Sequence, residues 1–549
     1  MCVLKNGQCY VMELYWEIVK GVIKMNNLLT IAEASAFASQ LIGKLVTESN
    51  ISYLIQYGRI DKFVNDGVIC VQQGQLVSYY ESFRGKKEIE WKNKLGNDIN
   101  WELSFDGYKE SETTKHVHRL HPYKGKYIPQ LVEYFLDEHT DSFKKEIYFH
   151  PGDIVIDPFC GSGTTLVQAN ELGMHAVGFE ISAYNAQISN AKIRRYDIAM
   201  LKKYVDGITI RLQKFEAELN VSAFEQELLA ELYKFNTKYF PSPDFKKKVY
   251  TKQIIEKEYG REKEKEFLPN FIRLAKKHQI SLDVTSESFL ERWYFETARK
   301  EIYYVNSLIE KVENSELKEL LQVILSRTMR SCRATTHSDL ATLIEPVYTT
   351  YYCTKHKKIC KPLFSILKWW KTYSKDTVKR IEQFAKINTN TMQKCFAENS
   401  ATVDIERCIL GMGGVIASTY REKKIKGIFC SPPYVGLIDY HEQHAYAYEL
   451  YGLDRRDDLE IGSMQKGSTK LAQQAYVEGV SSVLLNCKKY LTEDYEVFIV
   501  ANDKFGLYQE IAEKAGMTVV EQFKRPVLNR TEKDKNAYSE TIFRMKEKK

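Results

Sequence analysis

The sequence lacks the long apolar runs of a membrane protein. No stretch of about 18 apolar residues occurs in the chain of 549 residues, so no membrane span is expected. Residues 1–24 contain a short apolar stretch without a basic start or a small-residue cleavage site, so no signal peptide is expected either. Met25 is followed by two asparagines and is a second possible start. We therefore interpret residues 1–25 as an extension.

A disulfide framework, internal repeats and a low-complexity linker are also missing. The 11 cysteines are odd in number and irregularly spaced, which is typical of reduced thiols in a cytoplasmic protein. A hydrophobic content of 44% and a charged content of 28% indicate a folded chain. Its length suits roughly two to four domains. The net charge of +7 favours a polyanionic partner.

Residues 26–82 have the pattern of a small helical unit followed by a strand. Thr30 and Glu33 form a T-x-x-E capping box at the start of one helix, and Thr47 caps a second. A strand-like segment, Val68 to Val77, follows. This order predicts a winged helix-turn-helix that contacts DNA, and a helical packing module without DNA contact is the alternative.

From residue 115 onward, alternating strand and helix patterns predict an α/β sheet. The expected strands are Asp153 to Ile156, His175 to Phe179, Met392 to Asn399, Ile425 to Cys430 and Glu496 to Val500, with a final hairpin of Thr518 to Phe523 and Ser539 to Met545. The mostly helical residues 200–388 interrupt this pattern as an insert. The predicted domains are therefore 1–25, 26–82, 115–199, 200–388 and 389–549.

A glycine-rich turn follows the first of these strands, in the string DPFCGSGTT from Asp157 to Thr165. Gly161 and Gly163 permit positive φ and a close approach of the backbone to a ligand. The spacing is not that of a phosphate-binding P-loop. Glu180 ends the next strand, where a carboxylate can accept hydrogen bonds from two ribose hydroxyls. The pattern suits a nucleoside without phosphate, such as S-adenosylmethionine, and a tight turn without a ligand is the alternative.

The tetrapeptide SPPY, Ser431 to Tyr434, directly follows the strand that ends at Cys430. Two prolines stiffen the segment and leave carbonyl groups free to accept hydrogen bonds. The Ser431 hydroxyl and the Pro432 carbonyl are candidate acceptors for the hydrogens of an exocyclic amine. Tyr434 is a candidate for stacking on a flipped base. A proline-rich turn with an incidental aromatic residue is the alternative.

Together these motifs resemble those of the amino-group DNA methyltransferases of restriction–modification systems. The resemblance implies a class I, Rossmann-like methyltransferase sheet, S-adenosylmethionine as cofactor and duplex DNA as substrate. It also implies a separate cognate restriction endonuclease as partner. The cofactor-binding residues expected from it are Asp157, Phe159, Gly161, Ser162, Gly163, Thr164 and Glu180, together with Asn399 where the family often has an acid. The expected catalytic residues are Ser431, Pro432, Pro433 and Tyr434.

The first residue of the catalytic motif bears on the target base. Serine in this position resembles the cytosine-N4 members of the family, whereas most adenine-N6 members have Asn or Asp. Cytosine N4 is therefore the expected target, and adenine N6 is the alternative. A non-catalytic DNA-binding regulator on a methyltransferase fold is the alternative class of function.

The insert lies between the two motifs, which suggests that it carries target recognition. Basic residues interleaved with tyrosines in this segment suit phosphate contact and base stacking. The DNA-binding residues expected there are Arg327, Arg330, Arg333, Lys355, Lys357 and Lys358. A solvated basic surface is the alternative.

Two cysteine features fall outside the amine chemistry. Cys430 precedes Ser431 instead of following a proline, so we do not give it the thiolate role of carbon-5 cytosine methylation. Cys353, His356 and Cys360 have the spacing C-x2-H-x3-C, to which Cys332 or His337 could add a fourth zinc ligand. Because such spacing also fits a basic loop with unliganded side chains, we assign no metal from the sequence.

Overall fold

The computed structural model describes most of the chain and divides it into two compact units. The described residues are 4–5, 8–9, 27–42, 45–56, 59–96, 98–282, 288–337, 343–528 and 537–548. The extension expected at residues 1–25 lies outside them, except for the short strands Leu4–Lys5 and Gln8–Cys9. The smaller unit comprises Met1–Asn97, Leu229–Pro269 and Thr350–Cys360. The larger unit comprises Asp98–Leu228, Asn270–Thr349 and Lys361–Lys549.

A mostly parallel sheet forms the centre of the larger unit. We number its strands β1 (Ile154–Asp157), β2 (His175–Phe179), β3 (Gln393–Phe396), β4 (Ile425–Cys430), β5 (Leu491–Ala501), β6 (Met517–Pro526) and β7 (Ser539–Glu547). Their spatial order is β3-β2-β1-β4-β5-β7-β6. β7 is antiparallel to both of its neighbours, and the other pairs are parallel. The α/β sheet is confirmed, and it fits the class I methyltransferase fold.

Strands β1, β2 and β4 consist mostly of apolar residues, as expected where helices cover both faces of a parallel sheet. Successive side chains of a strand point to opposite faces. Phe429 of β4 packs with Phe135 in one buried cluster, whereas its neighbour Ile428 belongs to the other cluster, which also contains Val480. The expected bounds of β2 and β4 are confirmed, and β5 begins at Leu491 instead of Glu496.

Helices make up most of the remaining chain, including most of residues 200–388, where the strands Tyr351–Cys353 and Lys358–Cys360 form a small hairpin. None of the described helices is long and apolar enough to cross a membrane. The helices are Ile31–Ile42, Glu48–Gln56, Gln73–Leu95, Glu110–Thr113, Pro129–Leu136, Thr164–Glu171, Ala183–Ile193, Ile198–Glu218, Val221–Tyr239, Asp244–Tyr250, Glu256–Lys277, Phe289–Trp293, Glu296–Ile309, Ser315–Cys332, Leu367–Ala385, Ile405–Met412, Gly414–Lys423, Tyr440–Gln443, Ala445–Tyr451, Lys470–Lys488 and Tyr508–Lys514.

The N-terminal part of the smaller unit combines short helices with a three-stranded antiparallel sheet. The strands Leu28–Thr30, Phe63–Asn65 and Val68–Gln72 pair with the third in the middle. The predicted capping box is confirmed. The Thr30 N–H donates to Glu33 Oε2 at 2.9 Å, and the Glu33 N–H donates to Thr30 Oγ1 at 3.3 Å.

The strand predicted from Val68 to Val77 is wrong beyond Gln72. A helix begins at Gln73 and continues to Leu95, through residues for which the sequence suggested no element. Val71 of the strand and Leu76 of the helix are both fully buried in the same small core. A short apolar run is compatible with either element, so its pattern alone did not separate them.

Candidate active site

The residues expected to form the site gather at the carboxyl ends of the parallel strands. Asp157 ends β1 and Glu180 follows β2. Asn399 lies shortly after β3, and Ser431 directly follows β4. From β1 the chain continues through β2 and β3 on one side of the sheet, and it then returns to β4 and β5 on the other side of β1. The strand order therefore reverses between β1 and β4. Such a reversal, or switch point, leaves a crevice at the carboxyl edge, where open α/β sheets bind ligands.

A cavity occupies this crevice and is lined by residues from every one of the four strand ends. Six of the eight expected cofactor-binding residues line it, as do Ser431 and Pro433 of the catalytic motif. The lining residues are Tyr123, Gly125, Lys126, Tyr127, Pro158, Phe159, Cys160, Gly161, Ser162, Thr164, Phe179, Glu180, Ile181, Asn399, Ser400, Ser431, Pro433, Tyr440, His441, Glu460 and Ile461.

The glycine-rich turn is shaped by close packing as well as by its backbone angles. Gly161 and Gly163 have φ of 50° and 76°, in the left-handed region that favours glycine. A Cβ atom on Gly163 would lie 3.0 Å from Ser189 Cβ, and one on Gly161 would lie 2.8 Å from Tyr123 Oη. Gly163 therefore lets the turn approach the helix Ala183–Ile193.

The Glu180 carboxylate bridges the turn to the end of β2. It accepts hydrogen bonds from the Gly161 N–H at 2.7 Å and from the Ser182 N–H at 3.0 Å. Burial raises the pKa of Glu180 to about 7, although these two backbone bonds oppose the shift. Each carboxylate oxygen has a second lone pair, so Glu180 can accept further hydrogen bonds from a ligand.

Asp157 lies beneath the turn and does not line the cavity. Its carboxylate accepts from the Phe159 N–H and from the Tyr127 hydroxyl, both at 3.1 Å. Complete burial raises its pKa to about 6. Asp157 thus holds the shape of the turn, whereas Phe159 is one of the residues that reach the cavity.

Two further side chains offer polar atoms to the cavity. The Ser162 hydroxyl is buried and has no hydrogen-bond partner within the described part of the chain. Asn399 shapes a turn after β3, because its Oδ1 accepts from the Ala401 N–H at 3.0 Å. The side-chain amide of Asn399 is therefore held in a fixed position at the wall of the cavity.

The catalytic motif places one hydroxyl acceptor in the cavity. Ser431 Oγ donates to the Val500 carbonyl oxygen of β5 at 2.8 Å, which leaves the lone pairs of the hydroxyl available to accept. Pro433 lines the cavity and Pro432 is buried. The hydroxyl of the half-buried Tyr434 donates to Glu540 Oε1 at 2.9 Å.

Cys430 immediately precedes this motif but has none of the features of a nucleophile. Its side chain is fully buried within β4. Burial raises the pKa of its thiol well above the ordinary value, and the nearby Asp157 adds to the shift. A thiol in such surroundings stays protonated and inert.

Comparison with known proteins identifies the family to which this chain belongs. A family described as DNA methylase matches residues 75–191, a stretch that includes the glycine-rich turn and Glu180. The chain is 45% identical over 525 residues to the type II methyltransferase M.MjaII of Methanocaldococcus jannaschii, a match that covers 95% of this chain and 97% of that protein. The chain belongs to the amino-group DNA methyltransferases of restriction–modification systems.

A second relative of this methyltransferase is similar over a shorter region. The type II methyltransferase M.MvaI of Kocuria varians is 30% identical over 122 residues, which cover 22% of this chain and 26% of that protein. No solved structure matches the chain.

Sequence patterns missed several residues that line the cavity of the methyltransferase. The rings of Tyr123 and Tyr440 stack at 5.5 Å between centroids. Glu460 accepts from the backbone N–H groups of Tyr440 and His441, and a short hydrogen bond joins it to the His441 ring. Tyr123 lies in the segment HPYKGKYIPQLVEYFL, His121 to Leu136, which resembles the segment that precedes the cofactor turn in this family, and that resemblance was a usable signal. No local pattern marked Glu460.

The candidate DNA-binding residues in the larger unit differ in exposure. Arg327 is only 5% exposed, forms an ion pair with Asp376 at 2.7 Å and covers the Tyr373 ring. Arg333 is 4% exposed and lies over the Tyr446 ring, whereas Arg330 is half-buried. Desolvation lowers the pKa of Arg327 and of Arg333, but arginine remains charged in both places.

In the smaller unit, the candidate lysines belong to the hairpin that ends at Cys360. Lys355 and Lys358 are exposed. Lys357 forms an ion pair with Glu256 at 2.6 Å. Exposure therefore favours Lys355 and Lys358 as groups that can reach a phosphate.

Proposed function

We propose that this methyltransferase binds S-adenosylmethionine in the cavity and methylates N4 of cytosine in duplex DNA. The observation that carries the proposal is the convergence of the Ser431 hydroxyl, the glycine-rich turn and Glu180 on one cavity. The proposed biological setting is a restriction–modification system with a separate endonuclease that cleaves unmethylated sites.

The cavity has the chemistry that the cofactor requires. Glu180 has lone pairs left to accept from two ribose hydroxyls, and the backbone of Gly161 lies at the wall of the cavity, where a ligand can approach it closely. Ser162 supplies a buried hydroxyl without a partner in the described chain, and Asn399 supplies an amide for the adenine ring. Bound S-adenosylmethionine supplies an electrophilic methyl group that needs no further activation.

The protein's own contribution to the transfer is to position the amine. The lone pair of an exocyclic amine is delocalised into the ring, so the nitrogen is a poor nucleophile. Acceptors at the Ser431 hydroxyl and the Pro432 carbonyl would hold the two amino hydrogens and offset the positive charge that develops on nitrogen. The bond from Ser431 to the Val500 carbonyl orients the hydroxyl for this role. Tyr434 would stack on the flipped base.

The serine that begins the motif supports cytosine as the target, and adenine N6 is the second candidate. The deciding experiment is incubation of the protein with labelled cofactor and unmethylated duplex DNA, followed by mass analysis of the released nucleosides. We expect N4-methylcytosine. N6-methyladenine would retain the mechanism and replace the base, and 5-methylcytosine would refute the mechanism. DNA binding without any methylated product would favour the alternative class of function, a non-catalytic DNA-binding regulator.

We also propose that the N-terminal helices and the basic residues of the insert bind DNA. The N-terminal helices Ile31–Ile42 and Glu48–Gln56 with their small sheet support the interpretation as a winged helix-turn-helix. Ser49, Asn50 and Arg59 are exposed in this unit, as a DNA-contacting face requires. In the larger unit, Arg327, Arg330 and Arg333 are the proposed DNA-contacting residues. In the smaller unit, they are Lys355, Lys357 and Lys358.

Replacing both Lys355 and Lys358 by alanine is expected to weaken DNA binding and leave cofactor affinity unchanged. Each lost phosphate contact removes about one unit from the slope of log affinity against log salt concentration. The double variant should therefore show a shallower slope by roughly two units. Fluorescence anisotropy with labelled duplex at several salt concentrations measures both effects.

Lys423→Ala provides a matched control, since Lys423 is also exposed and carries the same charge. It should retain the slope of the unmodified protein. If the double variant and the control bind DNA alike, the hairpin lysines are ordinary solvated residues.

A further inference from the structure

The hairpin of Tyr351–Cys353 and Lys358–Cys360 brings two thiols and an imidazole together within the smaller unit. The ligand atoms of Cys353, His356 and Cys360 lie within 4.8 Å of one another. Cys360 Sγ is 3.5 Å from His356 Nδ1. The backbone N–H of His356 donates to Cys353 Sγ at 3.4 Å. Both cysteines are buried and neither forms a disulfide. These three residues have no part in the proposed methyl transfer.

Their spacing matches the coordination geometry of zinc. Zn²⁺ binds thiolate sulfur at about 2.3 Å and imidazole nitrogen at about 2.0 Å in a tetrahedral arrangement. Those bond lengths separate neighbouring sulfur and nitrogen ligands by about 3.5 Å. The Cys360 and His356 atoms already have this separation. The backbone N–H that points at Cys353 Sγ would stabilise a thiolate at that position.

We propose that this hairpin binds a zinc ion through Cys353 Sγ, His356 Nδ1 and Cys360 Sγ. Thiolate and imidazole together favour zinc over calcium or magnesium, which prefer oxygen ligands. Binding releases the two thiol protons to solvent. A water molecule or a further side chain supplies the fourth ligand that a tetrahedral site needs. The ion cross-links the two ends of the hairpin and fixes the turn that carries Lys355.

Contacts that do not involve the ligands hold the hairpin in place. The side-chain amide of Asn236 donates to the Ile359 carbonyl and accepts from the Ile359 N–H, both at 2.9 Å. The Tyr352 ring covers Gly260, where a Cβ atom would lie 2.4 Å from the ring. The Tyr352 N–H also donates to Glu264 at 3.0 Å. Because these contacts position the three ligands in advance, variants of the cysteines are expected to remain folded.

The test measures metal content in the full-length protein, without DNA or cofactor, so its outcome is independent of the proposed function. Protein depleted of metal is incubated with Zn²⁺, passed through gel filtration and analysed by mass spectrometry for bound metal. About one zinc ion per chain is expected. The double variant Cys353→Ser/Cys360→Ser should lose it, and His356→Ala should bind zinc more weakly in a competition with a chromogenic chelator.

Cys408→Ser is the matched control, since Cys408 is a free thiol in the helix Ile405–Met412. It should keep the full zinc content. Co²⁺ in place of Zn²⁺ should give the absorption of thiolate-to-cobalt charge transfer in the control and not in the double variant. Zinc content that is absent in the unmodified protein, or unchanged in the double variant, would overturn the proposal. Circular dichroism verifies that each variant is folded.

Discussion

Replacement of Ser431 by alanine is expected to lower turnover about 10- to 100-fold, the effect of losing one hydrogen bond to a group that develops charge. Cofactor affinity should change little, because the hydroxyl acts on the target amine as the positive charge forms on nitrogen. Single-turnover methylation with saturating cofactor and DNA measures the rate of the chemical step. Calorimetric titration with the cofactor measures the affinity separately.

The neighbouring Cys430→Ala variant is the control for this experiment. Cys430 is fully buried and its thiol stays protonated, so its loss should leave methylation intact. An inactive Cys430→Ala protein that remains folded would indicate attack by a thiolate on the base. A Ser431→Ala protein with full activity would remove the hydroxyl from the mechanism and leave the backbone carbonyl as the acceptor.

Replacement of Glu180 by alanine is expected to weaken binding of S-adenosylmethionine by about 1–3 kcal/mol, since hydrogen bonds between a carboxylate and the ribose hydroxyls are lost. The Gly161 and Ser182 N–H groups also lose their acceptor, so the turn itself should loosen. Calorimetric titration of both proteins with S-adenosylmethionine at one pH gives the difference in binding free energy directly. Equal affinity in the two proteins would exclude Glu180 from the cofactor site.

The raised pKa of Glu180 gives a second prediction, about pH. Protons compete with the cofactor for the carboxylate, so affinity should rise as the pH increases through about 7 and then level off. One unit below that pKa, about one tenth of the carboxylates are ionised, and the affinity should be about tenfold lower than at high pH.

Glu180→Gln is the matched variant for this pH series, because glutamine has nearly the same shape and does not titrate. Its affinity should lack the step near pH 7 that distinguishes the unmodified protein. Any titration of the cofactor's own amine affects both proteins equally and cancels in the comparison. A parallel pH dependence in the two proteins would contradict the assignment.

The parts of the site that sequence analysis located are those whose constraints are local. The glycine-rich turn, Glu180 and Ser431 each adjoin a buried strand, and the carboxyl ends of parallel strands meet at one edge. Glu460 was missed because its role depends on the folded path of the loop after the catalytic motif. It accepts hydrogen bonds from the backbone N–H groups of Tyr440 and His441, which lie 20 and 19 residues before it in the sequence.

Clusters of basic residues in the sequence predicted exposed DNA-contacting side chains less well than strand patterns predicted the residues of the cavity. Arg327, Arg330 and Arg333 formed one basic cluster in the sequence, yet the structure buries the first and third and leaves the second half-buried. Arg327 pairs with Asp376, a residue far along the chain. A pattern of charges does not reveal which side chains have an internal partner, and the partners here come from a different helix.

The adjacency of β1 and β4 has a consequence for the order in which the enzyme becomes competent. The Thr165 hydroxyl donates to the Phe429 carbonyl across 264 residues of sequence. When only the first half of the chain has been synthesised, the cofactor turn is present but β4 is not. The edge of β1 that later pairs with β4 is then still unpaired. Such an edge is prone to wrong pairing, and closing so long a loop is slow. Methylating activity should accordingly arise late in synthesis, after β4 has inserted beside β1.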